Sequence, residues 1–316
     1  MATRKGTIAL AGHNPTKVAF KDDILAFILG TNAAPFDLST DGLTLIADPN
    51  GDGDETATFN CAAGKHESGL NPVVDLSAEL DTKFQIQVDD DAGGAQVVTL
   101  IVAGKNTGEL IAAEMQTKIQ ALGGVYEGVT VAYSGEVPND LYTITSGTKG
   151  TGSKVRITRA VDHNVTEELE LGPDGGTDTD GTGDFANAAA ASIAEVLAVI
   201  VTDMAGFTGS NVAGALKLTA NEGEPNSIVM GNGTANDILG FVNLDADYGT
   251  QGLGYGTDMA DVNYVVVATF NGVAAANLPD DNLSIGNKST SGFEVQSETE
   301  ASTYSVDLLI EGEEAA

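Results

Sequence analysis

The sequence predicts an α+β protein: two related β-β-α-β-β-β modules, the second inserted in the first, followed by a small all-β C-terminal domain. Three observations lead there. First, a local pattern occurs twice. Leu43-Thr44-Leu45-Ile46-Ala47-Asp48, a loop and Thr56-Ala57-Thr58-Phe59 match Phe84-Gln85-Ile86-Gln87-Val88-Asp89, a loop and Val97-Val98-Thr99-Leu100, at a constant offset of 41 positions. Apolar residues alternate with polar ones in both, the period of a β-hairpin with one buried face. Second, the later copy runs at once into a helical pattern and extended stretches, whereas the matching continuation of the earlier copy comes only after residue 184. Third, the chain changes character beyond residue 257, where short β-type runs separated by turn residues take over.

Taken in order, residues 1–35 read as an N-terminal leader or arm. Thr7 to Ala11 is a short apolar strand closed by Gly12, and Lys17 to Phe20 is a second extended piece. Asp22 or Asp23 could cap a short helix over Ile24 to Leu29, ended by Gly30. This arm is expected to pack on the first module or on a neighbouring copy.

The outer module spans 36–62 plus 183–247, and its hairpin carries the one motif with metal chemistry. Asp48, Asn50, Asp52 and Asp54 place oxygen ligands at relative positions 1, 3, 5 and 7, with Gly53 at 6, as in the opening of a calcium loop. The twelfth position is Phe59, which has no carboxylate, so a wide acidic turn stands beside calcium as a reading. The second hairpin turn, Asp89-Asp90-Asp91-Ala92-Gly93-Gly94, clusters three acids without that spacing.

The inserted module with its linkers spans 63–182. An irregular connector from Asn60 to Thr82 leads in. A helix over Thr107 to Leu122 follows the hairpin, with Ile111, Met115, Ile119 and Leu122 on one face. Val129 to Tyr133, Leu141 to Ile144 and Val155 to Ile157 are the next strands. Gly172 to Asp184 is so rich in glycine, aspartate and threonine that it reads as a flexible acidic linker, with metal binding as its second reading. The outer module then resumes with a helix from Ala188 to Met204, for which Asn187 is the expected N-cap. Extended runs at Leu216 to Leu218 and Ser227 to Met230 and a short segment from Thr234 to Gly240 complete it. Beyond a Gly/Tyr-rich hinge, the C-terminal β domain (257–316) contains Tyr264 to Phe270 with an Asn271-Gly272 turn, Asn282 to Ile285, Gly292 to Val295 and Tyr304 to Ile310.

Composition narrows the function classes. The formal charge is −32, from 46 acidic and 14 basic residues, and between residues 161 and 260 Lys217 is the only basic group. Such a surface repels nucleic acid and anionic lipid, because binding either needs a cationic patch. One cysteine, Cys61, precludes an intrachain disulfide, and with three histidines a zinc site within the chain is all but excluded. The expectations are no membrane span and no signal peptide. No nucleophile–base–orienter set stands out, and Gly147 to Lys154 is Gly/Lys-rich without the spacing or setting of a phosphate loop. The absence of tryptophan removes the usual sugar platform of a glycosidase. The expectation is therefore no enzyme, no catalytic residue, and no cofactor other than calcium at the Asp48 loop. The basic residues Lys149, Lys154, Arg156 and Arg159 are expected to offset carboxylates such as Glu167, Glu168 and Glu170, or to meet another copy.

The stretch Phe84 to Asp89 before a helix, with Leu141-Tyr142-Thr143-Ile144-Thr145-Ser146-Gly147 and then Gly152-Ser153-Lys154-Val155-Arg156-Ile157, resembles repeat modules of structural proteins in tailed-bacteriophage virions. A similar layout is seen in inserted modules of flagellar hook-associated proteins. Tyr264 to Phe270, Ser291 to Val295 and Ser305 to Ile310 look like the small β domains that end phage fibre or virion-surface proteins. What the resemblance implies is a virion structural protein (capsid decoration, collar, fibre or tail), made in the host cytoplasm, homo-oligomeric, and bound to other virion proteins or a host-surface glycan. Two alternatives remain at this point: a surface adhesin or appendage component of a salt-adapted bacterium or archaeon, and a calcium-dependent carbohydrate-binding module.

Overall fold

The structure, a computed structural model, describes residues 2–9, 16–19, 25–135, 140–221, 227–252, 264–271, 283–289, 292–297 and 305–312. Over these the chain is α+β, mostly strands in small antiparallel sheets. In chain order, β1 (Ala2–Ala9), β2 (Thr16–Ala19) and β3 (Phe27–Ala33) precede the hairpin β4 (Leu43–Pro49) and β5 (Glu55–Phe59). Short strands β6 (Cys61–Ala62) and β7 (Lys65–Glu67) lead to the hairpin β8 (Lys83–Val88) and β9 (Gln96–Thr99). Helix α1 (Gly108–Gln120) is followed by β10 (Thr130–Tyr133), β11 (Tyr142–Thr145), β12 (Val155–Arg159), β13 (Thr177–Thr179) and β14 (Thr182–Gly183). Helix α2 (Ile193–Asp203) precedes β15 (Phe207–Val212), β16 (Ala215–Ala220), β17 (Ser227–Met230) and a short α3 (Asn236–Leu239). Last come β18 (Ala246–Tyr248), β19 (Thr250–Gly252), β20 (Val265–Asn271), β21 (Leu283–Ser289), β22 (Gly292–Ser297) and β23 (Ser305–Gly312).

The chain divides into two units. One comprises Met1–Ala33, Thr44–Thr58 and Leu197–Ala316; the other comprises Ala34–Leu43 and Phe59–Val196. In the second, the sheet β12-β8-β9 and the sheet β10-β11-β7-β13 accompany α1. β8 buries Phe84, Ile86 and Val88 and leaves its other residues half-exposed, the alternation expected of a strand with one core face. Helix α1 buries Ile111, Ala112, Met115 and Ile119, and Thr107 caps it by accepting the Leu110 N–H. Those side chains meet Phe84, Tyr142, Ile144, Val155 and Leu169 in one core. Burying a residue of this size contributes roughly 1.5–3 kcal/mol. The first unit holds the sheets β18-β17-β4-β5, β15-β16-β3, β19-β2-β22-β21 and β1-β23-β20.

Four sequence expectations are corrected. Of the helix expected over Ile24 to Leu29, Phe27 to Leu29 belong instead to the strand β3: Ile28 is buried while Phe27 and Leu29 are exposed, and residues 27–29 pair with Thr219, Leu218 and Lys217. Gly30 continues the strand rather than ending a helix, and a Cβ there would lie 2.4 Å from the Leu239 carbonyl oxygen. Asp22 and Asp23 lie outside the described residues. Asn187 caps only a 3-10 turn at Ala188–Ala190, and α2 starts later. There Ser192 Oγ accepts the Glu195 N–H at 3.3 Å and Glu195 accepts the Ser192 N–H at 2.9 Å, a reciprocal box that outcompetes a lone cap.

The acidic segment 172–184 is not a linker without structure. It forms a 3-10 turn (Gly172–Asp174) and the strands β13 and β14, which pair with β7 and β6 of the connector also read as irregular. Glycine composition misled here because several of these glycines sit against other atoms: a Cβ at Gly183 would fall 2.2 Å from the Asn60 carbonyl oxygen. The N-terminal residues form strands where two extended pieces were expected, at Ala2–Ala9 and Thr16–Ala19. β1 pairs along its length with β23, and β2 pairs with β22 and β19. The Asn271-Gly272 turn falls partly outside the described residues.

Candidate functional site

The four calcium candidates are held on the β4–β5 turn, and the fold does not aim them at one point. Asn50 (φ 57°) is buried; its side-chain oxygen accepts the Ser227 N–H at 3.1 Å and its amide donates to the Asn221 carbonyl at 3.1 Å. Asp48 Oδ1 accepts the Gly53 N–H at 3.0 Å. Asp52 and Asp54 are exposed. Among the described residues, no three carboxylate, imidazole or thiol groups are grouped to hold a metal ion.

The acids of the second turn also diverge. Asp89 (φ 52°) accepts the Ser146 hydroxyl at 3.0 Å, the Thr148 hydroxyl at 2.6 Å and the Lys154 N–H at 2.8 Å. Asp90 meets the Lys154 ammonium at 2.5 Å. Asp91 accepts from the Tyr126 hydroxyl at 3.2 Å, and burial together with that carboxylate pushes the Tyr126 phenol up to about 12, so it stays a donor. The sequence motif Ser146-Gly147-Thr148 thus delivers two hydroxyls to one carboxylate.

The basic residues of β12 are likewise engaged. Arg156 pairs with Asp180 and lies 3.6 Å from Asp178, while Arg159 pairs with Asp174 and lies 3.9 Å from Glu167. Of the carboxylates expected as partners, Glu167 alone is met among the described residues; the others come from the acidic segment 172–184, 15 to 24 residues further on. The guanidinium holds the Asp174 carboxyl below its usual range.

One arrangement of catalytic type was missed in the sequence. His66, fully buried on β7, has Nδ1 2.6 Å from Asp178 Oδ1 on β13, and its Nε2 accepts the Gly172 N–H at 3.0 Å. The tautomer follows from the partners: Nε2 faces a donor, so the neutral ring carries its proton on Nδ1 and donates it to Asp178. Burial pushes the imidazole pKa down, against the raising effect of Asp178. Both nitrogens are occupied, and a Cβ at Gly176 would lie 2.3 Å from the ring, so the group has neither a free nitrogen nor room for a substrate. It resembles the base–orienter half of a catalytic triad and lacks the rest. The signal in the sequence was Lys65-His66-Glu67, a histidine at the inward position between two charged residues; its partner lies 112 positions away. His163 is exposed, 3.7 Å from Asp81, and His13 lies outside the described residues. Cys61 is buried, which pushes its thiol up and keeps it protonated.

No protein-family profile matches the sequence, and no curated protein matches it. Among solved structures, the D2-D3 domains of the flagellar cap protein FliD from Serratia marcescens are similar at 14% identity and TM-score 0.30, covering 62% of this chain and 92% of that one. The flagellar cap protein FliD from Helicobacter pylori is similar at 11% identity and TM-score 0.22, covering 84% of this chain and 77% of that one. Scores of this size decide neither fold nor function.

Proposed function

We propose that the chain is a non-enzymatic structural protein of a tailed-phage virion, built on two copies of one β-β-α-β-β-β unit and assembled as a homo-oligomer on the particle exterior. The observation that carries the reading is a recurring strand order. β12 joins the hairpin β8–β9 and β7 joins β10–β11; in the same way β17 joins β4–β5 and β3 joins β15–β16. A helix stands between hairpin and later strands in each, α1 in one and α2 in the other. Backbone hydrogen bonds repeat as well. Asp89 N–H to Lys154 O and Asp91 N–H to Val88 O correspond to Asn50 N–H to Ser227 O and Asp52 N–H to Pro49 O.

On these equivalences Asn50 matches Asp89, an offset of 39 rather than 41. Side chains alternate with period two, so both offsets bury the same face and alternation does not separate them. In this reading the outer copy takes 36–62 plus 183–247 and draws β3 from the residues before it, the inserted one takes 63–182, and a β region beyond 257 serves attachment or display.

Repetition of a rigid unit suits a spacer. The acidic surface argues against nucleic acid as a partner, and the polar groups described above serve internal hydrogen bonds rather than a shared pocket. Immunogold electron microscopy with antibodies to the full chain tests the assignment. Gold on the outside of purified particles supports it; unlabelled particles, or gold confined to cell-surface filaments, would sink it in favour of an appendage component. Light scattering of the purified protein at monomer mass would remove the homo-oligomer.

A further inference from the structure

We propose that His66 is a pH-sensitive clasp: as the neutral ring it holds residues 172–179 against β7, and protonation of Nε2 releases them. The geometry sets the two states. With Nε2 unprotonated, the ring accepts the Gly172 N–H at 3.0 Å and Nδ1–H meets Asp178 at 2.6 Å. With Nε2 protonated, the same 3.0 Å separation brings two donors face to face, and the Gly172 contact is lost.

Beside the ring, the Asp174 carboxylate, which takes Arg159 and the Thr166 hydroxyl, anchors the first half of the segment, and the second half is held less. β13 pairs with β7 over only three residues, Thr177, Asp178 and Thr179, and all three side chains are exposed. The 3-10 turn before it buries no residue. The contacts to the two ends of one imidazole therefore tie both halves of the segment to β7, beside the Asp174 anchor, the ladder bonds and the Arg156 pairs.

The charged groups around the ring set the direction. On β7, Lys65 and Glu67 pair with each other at 2.6 Å. On β13, Asp178 favours the imidazolium, but Arg156 of β12 already stands 3.6 Å from that carboxylate, with Asp180 beyond it. In the 3-10 turn Asp174 is taken by Arg159. Glu170, whose carbonyl accepts the Gly69 N–H, precedes the turn. β11 contributes Thr143, Ile144 and Thr145 opposite β7, none of them titratable. Burial outweighs the carboxylates that favour the charged ring, Asp178 first and Glu67 after it, and the folded state prefers the neutral ring. The stability of the closed segment is then complete above the unperturbed histidine pKa of about 6.5 and declines as pH falls toward the depressed folded value.

The test is amide hydrogen exchange on the full chain between about pH 7.5 and about pH 5, corrected for intrinsic rates. Below about pH 6.5, protection of Gly172 and of residues 174–179 should fall by up to about tenfold per pH unit, while β8 and β11 keep theirs. In His66→Gln, which cannot titrate, protection should not depend on pH. Nitrogen chemical shifts of the wild-type imidazole near neutrality should show the Nδ1–H tautomer, a measurement that needs no variant to fold. Flat wild-type protection down to about pH 5, an unchanged pH slope in His66→Gln, or an Nε2–H tautomer would each overturn the clasp.

Discussion

At the β4–β5 turn, Asn50 (φ 57°) offers its side-chain oxygen to the Ser227 N–H at 3.1 Å; at the β8–β9 turn, Asp89 (φ 52°) offers its own to the Lys154 N–H at 2.8 Å. Both positions sit in left-handed backbone, which asparagine and aspartate tolerate better than other residues with side chains. From there the chemistry parts. An amide oxygen and nitrogen serve one N–H and one carbonyl, whereas the carboxylate gathers two hydroxyls besides the N–H. Charge-assisted hydrogen bonds are roughly twice as strong as neutral ones. The difference teaches that an acidic turn need not be a cation site: the negative charge at Asp89 is matched by donors of its own fold.

The comparison breaks most visibly at the buried strand positions flanking the two turns. Phe84→Ala and Leu45→Ala, both fully buried, should cost about 4 and about 3 kcal/mol in urea denaturation. A cost under about 1 kcal/mol for either would mean its hairpin is not part of a packed core. Next come the turns themselves. Asp89→Ala leaves three donors unmatched and should cost about 3 kcal/mol, against about 2 for Asn50→Ala. Equal costs would show that the carboxylate adds nothing over the amide.

The helix caps sharpen the same contrast at a smaller scale. Ser192→Ala removes one half of a reciprocal box and should cost about 1 kcal/mol, with Thr107→Ala somewhat less because Leu110 returns no side-chain bond. Circular dichroism melts of both variants decide the order. The smallest effect is expected from calcium: millimolar addition should leave the melting temperature unchanged, since Asn50 is turned inward and Asp52 and Asp54 outward. A rise of several degrees, abolished by Asp52→Asn, would restore the metal reading.

Much of this was legible in the residues. The alternation in 43–48 and 84–89 marked both hairpins and their buried faces, and Ile111, Met115 and Ile119 marked the inner face of α1. Which position of one hairpin makes the same turn hydrogen bonds as a position of the other was not legible, because a shift of two positions preserves alternation. Nor was the His66–Asp178 pair, for nothing local to Lys65-His66-Glu67 points to a partner in a glycine-rich stretch that pairs with it only once β7 and β13 align.

On its own, the order of amino acids determined what is decided within a few residues: which stretches alternate, where a helical face lies, and the sign of the surface. Tertiary structure alone decided that 27–29 belong to a strand rather than a helix, that 177–179 is ordered, and that the first residues pair with the last ones. The reason is range. Helical periodicity and capping act across one or two turns of chain, whereas a strand acquires its partner only when a segment far along the sequence arrives beside it.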